Sequence, residues 1–198
     1  MAAAIAAVTV RPAFGGETIT GLGKTIDGDT FKIGEAVIRL ADIDAPEIAQ
    51  RCEGGPKHLS RCGAYVADLL RSRLAEREVS CDVREIDQYD RRIARCSQGD
   101  EELSAWLVRS GWALAYRTYS DRLTRAEDEA RKQHLGLWQT SFEPPWAYRT
   151  QRWDVAAQQA PGGCPIKGNI ARNGEQIYHT PWGSQGHVRQ AGVIFQMA

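Results

Sequence analysis

The sequence lacks an excess of charge of either sign, since 25 basic and 25 acidic residues give a formal net charge of zero. A protein that coats DNA through many phosphate contacts needs a global positive field. That class is therefore excluded, whereas action at one local phosphate site is not. The chain also lacks any run of about 18 apolar residues, which excludes an ordinary transmembrane helix. We expect no membrane partner and a monomer.

None of the five cysteines falls in a CxxC pair, so a zinc site is poorly supported. Cys52 and Cys62 bracket a Gly-Gly-Pro loop, and Cys81 and Cys96 lie in two strand-like runs on either side of a charged turn. Each pair can meet locally, which predicts two disulfides in an oxidising compartment and leaves Cys164 unpaired. Buried reduced cysteines that act as small apolar residues are the alternative.

Residues 17–47 alternate β-favouring runs with tight turns at Asp27-Gly28-Asp29 and Gly34-Glu35. Asp-Gly between such runs is a strong hairpin signal, so the segment is predicted to be a three-stranded meander. Two further strands are predicted over 78–85 and 93–97, on either side of the charged turn IDQYDRR.

Apolar residues at helical spacing predict three helices, over 63–75, 101–110 and 121–135. Three strands, a helix, two strands and a pair of helices is the order of a five-stranded OB-fold β-barrel. The predicted fold class is therefore mainly β with helices (α+β). Barrels of this type commonly bind nucleic acid or sugars.

The two ends of the chain differ in character from this main domain, which we predict over 17–142. Residues 1–16 are apolar and rich in small residues, typical of an export-signal remnant or of a plain disordered terminus. Proline, glycine and polar residues across 143–163 predict a linker. Residues 164–198 are too few for a core of their own and are interpreted as a small C-terminal appendage of unknown role.

Carboxylates lie at two predicted strand ends, at Asp29 in the Asp-Gly-Asp turn and at Asp44 after the third strand. If the strands pair as predicted, the two side chains approach one another. Two close carboxylates suit a hard cation such as Ca²⁺ or Mg²⁺. Glu47 follows a proline that stiffens its turn, which can hold its carboxylate near a metal-bound water.

Two arginines add to this candidate site. Arg39 lies on the strand that leads to Asp44, and Arg91 lies in the turn between the last two strands. Two guanidinium groups can clamp the oxygens of one phosphate, and with a cation and a carboxylate they make a phosphodiester hydrolysis site. Arg39 precedes Asp44 by an odd number of residues, which puts them on opposite faces of a regular strand. The pattern therefore requires a bulge near Ala41 and Asp42, or a strand end before Asp44.

From about Gly21 to Trp138 the sequence resembles the staphylococcal nuclease family. The resemblance is carried by IDGDTFKI, IRLADIDAPE, CGAYVADLL, DQYDRR, LVRSGWALAY and HLGLW, which follow one another in the family's order. It implies an OB-fold with three helices and a Ca²⁺-dependent endonuclease that hydrolyses DNA and RNA to 3′-phosphate products.

The resemblance also implies a metal site. Asp29 and Asp44 would ligate calcium through their carboxylates, and Ala45 would ligate it through its backbone carbonyl. The family pattern has threonine at the position of Ala45. Because the ligand there is a carbonyl oxygen, the difference leaves metal binding intact.

The same resemblance assigns roles to five further side chains. Glu47 would be the general base or would position the attacking water. Arg39 and Arg91 would bind and neutralise the phosphate, and Tyr89 and Tyr116 would line the nucleotide pocket.

The prediction for the whole chain is thus an extracytoplasmic endonuclease, periplasmic or secreted. The alternative is a catalytically silent OB-fold module that binds nucleic acid or a protein, because this fold supports many functions. The joint presence of Arg39, Glu47 and Arg91 favours the enzyme, since a silent domain has no need of all three.

Overall fold

The computed structural model describes residues 16–75 and 77–159, together with the backbone of two strands near the C-terminus. The predictions for residues 1–15 and for Cys164 fall outside the described residues.

Regular structure accounts for most of the described chain. The strands are β1 (Thr18–Thr25), β2 (Thr30–Ile33), β3 (Ala36–Leu40), β4 (Ile43–Asp44), β5 (Glu78–Ile86), β6 (Arg92–Gln98), β7 (Glu101–Glu102), β8 (Leu114–Ala115), β9 (Lys167–Ile170) and β10 (Gln176–His179). The α-helices are α1 (Cys62–Leu74), α2 (Leu103–Arg109), α3 (Thr124–Lys132) and α4 (Pro145–Gln159), and short 3-10 helices cover Lys57–Arg61 and Gly136–Gln139.

Five strands close into a barrel in the order β1-β2-β3-β6-β5, and β5 pairs back onto β1. The β3–β6 pairing is parallel, and the other four pairings of the barrel are antiparallel. The predicted meander and the five-stranded OB-fold barrel of the α+β class are confirmed. The short strands β4 and β8 pair with each other beside the barrel and carry part of the candidate site.

Side chains that point inward alternate with side chains that point outward along the strands, and the inward ones fill the barrel. Phe31, Ile38 and Val79 are fully buried in this interior. Helix α1 packs against the barrel through Leu70 and Leu74, which are one turn apart and buried. Each such leucine stabilises the fold by roughly 1.5–3 kcal/mol relative to exposure. The barrel and α1 thus form a rigid support for the loops at the site.

The three predicted helices are present as α1, α2 and α3, with ends that differ from the prediction by one to three residues. Within the predicted linker over 143–163 the structure has a helix that the sequence analysis did not predict, because α4 covers Pro145–Gln159. A proline at the first helical position and the absence of glycine or proline from the next fourteen residues favour this helix. The division into domains stays a prediction. Among the described residues, no helix is long and apolar enough to cross a membrane.

Both predicted disulfides are confirmed. Cys81 and Cys96 lie directly opposite each other on β5 and β6, with their Cα atoms 4.0 Å apart. Cys52 and Cys62 have Cα atoms 5.7 Å apart and join the loop after the candidate site to the first residue of α1. A bridge that closes such a loop constrains the unfolded chain and adds about 2–4 kcal/mol to stability.

Candidate active site

Two buried carboxylates meet at the rim of the barrel. Asp29 is the last residue of the turn between β1 and β2, Asp44 ends β4, and they are 3% and 1% exposed. A single guanidinium bridges them: Nη1 of Arg39 donates to Asp29 Oδ1 at 2.9 Å, and Nη2 donates to Asp44 Oδ1 at 3.0 Å. The structure therefore brings these three predicted site residues together.

Asp42 resolves the alternation problem between Arg39 and Asp44. Strand β3 ends at Leu40, and Asp42 has a positive φ of 68°, a conformation that is uncommon for residues other than glycine. The predicted strand end before Asp44 is thus confirmed. The backbone turns at Asp42 and continues as β4, so the side chains of Arg39 and Asp44 point to the same site.

Hydrogen bonds hold Asp42 in this conformation. Its Oδ2 accepts from Nε of Arg95 at 3.0 Å and from Nε of Arg122 at 3.1 Å. Its carbonyl accepts the N–H of Tyr116 at 2.9 Å. Partial burial acts to raise the pKa of Asp42, but the two arginine hydrogen bonds outweigh it and the pKa is lowered. Charge pairing thus fixes the bend that aims Asp44.

The Asp-Gly-Asp turn is locked onto the segment that carries Asp44. Asp29 Oδ2 accepts the backbone N–H of Ala45 at 3.0 Å, and Asp27 Oδ1 accepts the N–H of Asp29 at 3.0 Å. Gly28 permits this close approach, because a Cβ there would lie 2.8 Å from the Cβ of Ala45. Burial first, and then the charge of Asp29, raise the pKa of Asp27 to about 7.

Glu47 lies beside this pair with a side chain that is 24% exposed. Burial raises the pKa of its carboxyl, and a hydrogen bond from Arg149 partly opposes that shift. Its backbone N–H donates to Oε1 of Gln50 at 3.3 Å, and Gln50 is itself buried. The carbonyl of Glu47 packs against Gly63 at the start of α1, where any Cβ would overlap it. Helix α1 therefore sets the position of the Glu47 backbone.

Replacing Gly63 with alanine is expected to destabilise the protein by about 1–3 kcal/mol, because the new methyl group forces the Glu47 segment away from α1. Urea unfolding monitored by circular dichroism measures the change. Helix propensity alone acts in the opposite direction, by up to about 1 kcal/mol. A stabilised Gly63→Ala variant would therefore contradict the close contact.

Arg149 on α4 is a site residue that the sequence did not reveal. Its Nη2 donates to Asp44 Oδ2 at 2.7 Å, and its Nη1 donates to Asp44 Oδ1 at 3.1 Å and to Glu47 Oε1 at 2.9 Å. Burial acts to lower the pKa of Arg149, but its hydrogen bonds to Asp44 and Glu47 outweigh this and the pKa is raised. The proline that starts α4 could have indicated the helix. No feature of the local sequence indicates that this helix lies against the site.

Arg91 does not contact the Arg39 cluster. Its Nε donates to Oδ2 of Asp87 at 2.7 Å, and its guanidinium lies 5.3 Å from the centre of the Tyr89 ring. In the parallel pairing of β3 and β6, Arg39 is opposite Ile93, so Arg91 is only two residues from the partner of Arg39. Within the described residues its two terminal amino groups make no hydrogen bond, and they remain available to a phosphate.

The two predicted pocket tyrosines lie on different segments. Tyr89 is 61% exposed in the β5–β6 turn. Tyr116 is half-buried after β8, with ring centres 5.1 Å from Tyr119 and 6.2 Å from Trp146. Tyr116 and Trp146 also line a cleft of about 720 Å³ beside α3. No contact among the described residues joins Tyr89 to Tyr116.

The donor set fits a hard divalent cation. In the described part of the chain, no three His, Cys, Asp or Glu side chains cluster as metal ligands. The predicted set needs only two carboxylates, Asp29 and Asp44, and the carbonyl of Ala45. Asp29, Asp44 and Glu47 carry three negative charges, and the guanidinium groups of Arg39 and Arg149 offset two of them, which leaves an excess of one. Oxygen donors with residual negative charge are those that a hard divalent cation prefers.

The closed OB-fold barrel has buried carboxylates, a bridging arginine and an adjacent glutamate at its rim. Similarity to known proteins identifies the class of this protein as a nuclease-type hydrolase. The family model described as "Staphylococcal nuclease homologue" matches residues 37–140. The chain belongs to this family, and the resemblance noted in the sequence is confirmed.

Two of the relatives have names that describe nucleases. The chain is 32% identical over 170 residues to "Micrococcal nuclease" of Shigella flexneri, which covers 75% of this chain and 90% of the relative. It is 28% identical over 168 residues to "Protein ParB" of Escherichia coli, covering 76% of this chain and 89% of that protein. It is 32% identical over 126 residues to "Probable endonuclease LCL3" of Saccharomyces cerevisiae (strain RM11-1a), covering 57% of this chain and 44% of that protein.

Proposed function

We propose that this nuclease-type hydrolase is a Ca²⁺-dependent endonuclease that cleaves DNA and RNA and leaves 3′-phosphates. The observation that carries the proposal is the Arg39 bridge between the buried carboxylates of Asp29 and Asp44, with Glu47 beside it. Such a cluster combines oxygen ligands for a cation, a fixed guanidinium and a carboxylate within one small site.

The proposed calcium ligands are the carboxylates of Asp29 and Asp44 and the carbonyl of Ala45. A bound calcium would supply positive charge beside the scissile phosphate, where negative charge grows during hydrolysis. The protein fixes these ligands in advance, because the N–H of Ala45 and the guanidinium of Arg39 hold the Asp29 carboxylate from both of its oxygens.

Arg39 and Arg91 are the proposed phosphate ligands, with Arg39 on β3 and Arg91 in the turn just before the neighbouring strand β6. Guanidinium groups that donate to phosphoryl oxygens stabilise the charge of the transition state. Tyr89 is exposed beside Arg91, and Tyr116 lies close to Asp42, which supports the proposal that both stack on or pack against a nucleotide.

Glu47 takes the proton of the attacking water or orients that water. The water oxygen bonds to phosphorus while the bond from phosphorus to the 5′-oxygen breaks. The products are a 3′-phosphate and a 5′-hydroxyl, whose oxygen takes up a proton from solvent. Burial raises the pKa of Glu47, which makes its carboxylate a better proton acceptor than an exposed one.

We further propose that the protein acts outside the cytoplasm, in the periplasm or after secretion. Its two disulfides support this, because such bonds persist in oxidising compartments and are rare where thiols are kept reduced.

Incubation with denatured DNA and with RNA is expected to give degradation in calcium and none in EDTA. The 3′-phosphate ends should block extension by a polymerase until a phosphatase removes them. Absence of calcium-dependent cleavage, together with retained binding of single strands, would instead support the silent OB-fold module.

A further inference from the structure

Helix α4 places a second guanidinium on the carboxylates that the proposed function assigns to calcium. Both oxygens of Asp44 accept hydrogen bonds from Arg149, at 2.7 and 3.1 Å, and Glu47 accepts a third at 2.9 Å. Asp44 is 1% exposed, so no other face of this carboxylate is open to a further ligand from solvent. Oδ1 of Asp44 also accepts from Arg39, but among the described residues Oδ2 accepts from Arg149 alone. Arg149 and a divalent cation would therefore compete for Oδ2.

The net charge of the site also indicates competition between Arg149 and a divalent cation. Asp29, Asp44 and Glu47 with Arg39 leave two negative charges, which one divalent cation neutralises. With Arg149 also in place the excess is only one negative charge, and a divalent cation would then make the cluster positive. Like charges a few ångströms apart repel, most strongly where water is excluded.

This inference rests on the proposed function. We propose that Arg149 competes with the catalytic cation for Asp44 and is autoinhibitory, because its guanidinium group must leave Asp44 before calcium binds there. Linkage makes the competition reciprocal: calcium releases Arg149 by the same factor by which Arg149 weakens calcium binding.

The attachment of α4 allows such a release without unfolding of the helix. The segment that leads into α4 is held at the carbonyl of Glu143, which accepts from Nε2 of Gln50 at 2.6 Å. Trp146 in the first turn lies 6.2 Å from Tyr116, measured between ring centres. Arg149 is one turn further along, so a change of its own side-chain rotamer is enough to free Asp44.

The test measures calcium binding itself, by isothermal titration calorimetry on the full chain. We expect Arg149→Gln to lower the Kd for Ca²⁺ by about tenfold, within the usual 5- to 150-fold range of such couplings. Arg149→Lys should fall between the two, because one ammonium group cannot engage both oxygens of Asp44. The matched control is Arg152→Gln on the same helix, since the Arg152 guanidinium lies 5.7 Å from the Tyr148 ring. Its Kd should equal that of the wild type.

A second readout guards against a merely misfolded variant. Thermal unfolding without calcium should occur at a lower Tm in Arg149→Gln than in the wild type, and added calcium should raise the Tm of the variant by more. Equal calcium Kd values in the wild type and Arg149→Gln would overturn the inference and leave the proposed function standing. An equal gain in Arg152→Gln would also overturn it, because the effect would then be one of general charge. Failure of calcium to bind any of these proteins would overturn the proposed calcium site as well.

One more outcome separates competition from a direct role in phosphate binding. If Arg149→Gln lowered kcat at saturating calcium and left the calcium Kd unchanged, Arg149 would be a third phosphate-binding arginine and the inference would be wrong.

Discussion

The Arg39→Lys variant is expected to lose about 10²- to 10³-fold in kcat, the usual effect of removing one fixed donor from a transition-state site. The two terminal nitrogens of Arg39 reach two different carboxylates, at 2.9 and 3.0 Å. A lysine ammonium is a point charge and cannot span Asp29 and Asp44 while also facing a phosphate. Lysine keeps the positive charge, so the loss of kcat measures the effect of the guanidinium geometry and not that of net charge.

Single-turnover cleavage of a short labelled DNA, with calcium at saturation, measures this loss. Arg125→Lys is the matched control, because the Arg125 side chain is 92% exposed on α3 and pairs with Glu129 of the same helix. The control should keep wild-type kcat. An Arg39→Lys variant within about threefold of the wild type would show that the guanidinium bridge is not used in the reaction.

The barrel could be predicted because each of its strands has a local signal. Asp-Gly and Gly-Glu turns separate β1, β2 and β3, and inward residues such as Phe31 and Ile38 recur with the period of a strand. The two-residue strands β4 and β8 have no such period. Their pairing depends on tertiary contacts, such as the bond from the N–H of Tyr116 to the carbonyl of Asp42.

The site was partly predictable for the same reason. Asp29 and Asp44 meet because the meander brings their strand ends together, and the odd spacing of Arg39 and Asp44 required a break that the structure has at Asp42. Arg149 could not be predicted, because 105 residues separate it from Asp44. Its position follows from the docking of α4 through Gln50, which sequence periodicity does not encode.

The Glu47→Gln variant is expected to lose about 10²- to 10⁴-fold in kcat, the usual contribution of a general base. Glutamine keeps the size of the side chain and can still accept a hydrogen bond from Arg149, which donates to Glu47 at 2.9 Å. It cannot take a proton from water. Because the contact between Gly63 and the Glu47 carbonyl involves only the backbone, the position of the segment should be unchanged.

The Glu47 experiment also has to separate proton transfer from metal retention, because removing a negative charge beside Asp44 can weaken calcium binding. Measuring kcat over a range of calcium concentrations makes this distinction. Additional calcium cannot replace a missing general base, so the low kcat of Glu47→Gln should persist at saturating calcium. Recovery of wild-type kcat at high calcium would instead mean that Glu47 serves to hold the cation. Glu53→Gln is the control, since it makes the same change at an exposed residue in the following loop and should leave kcat unaltered.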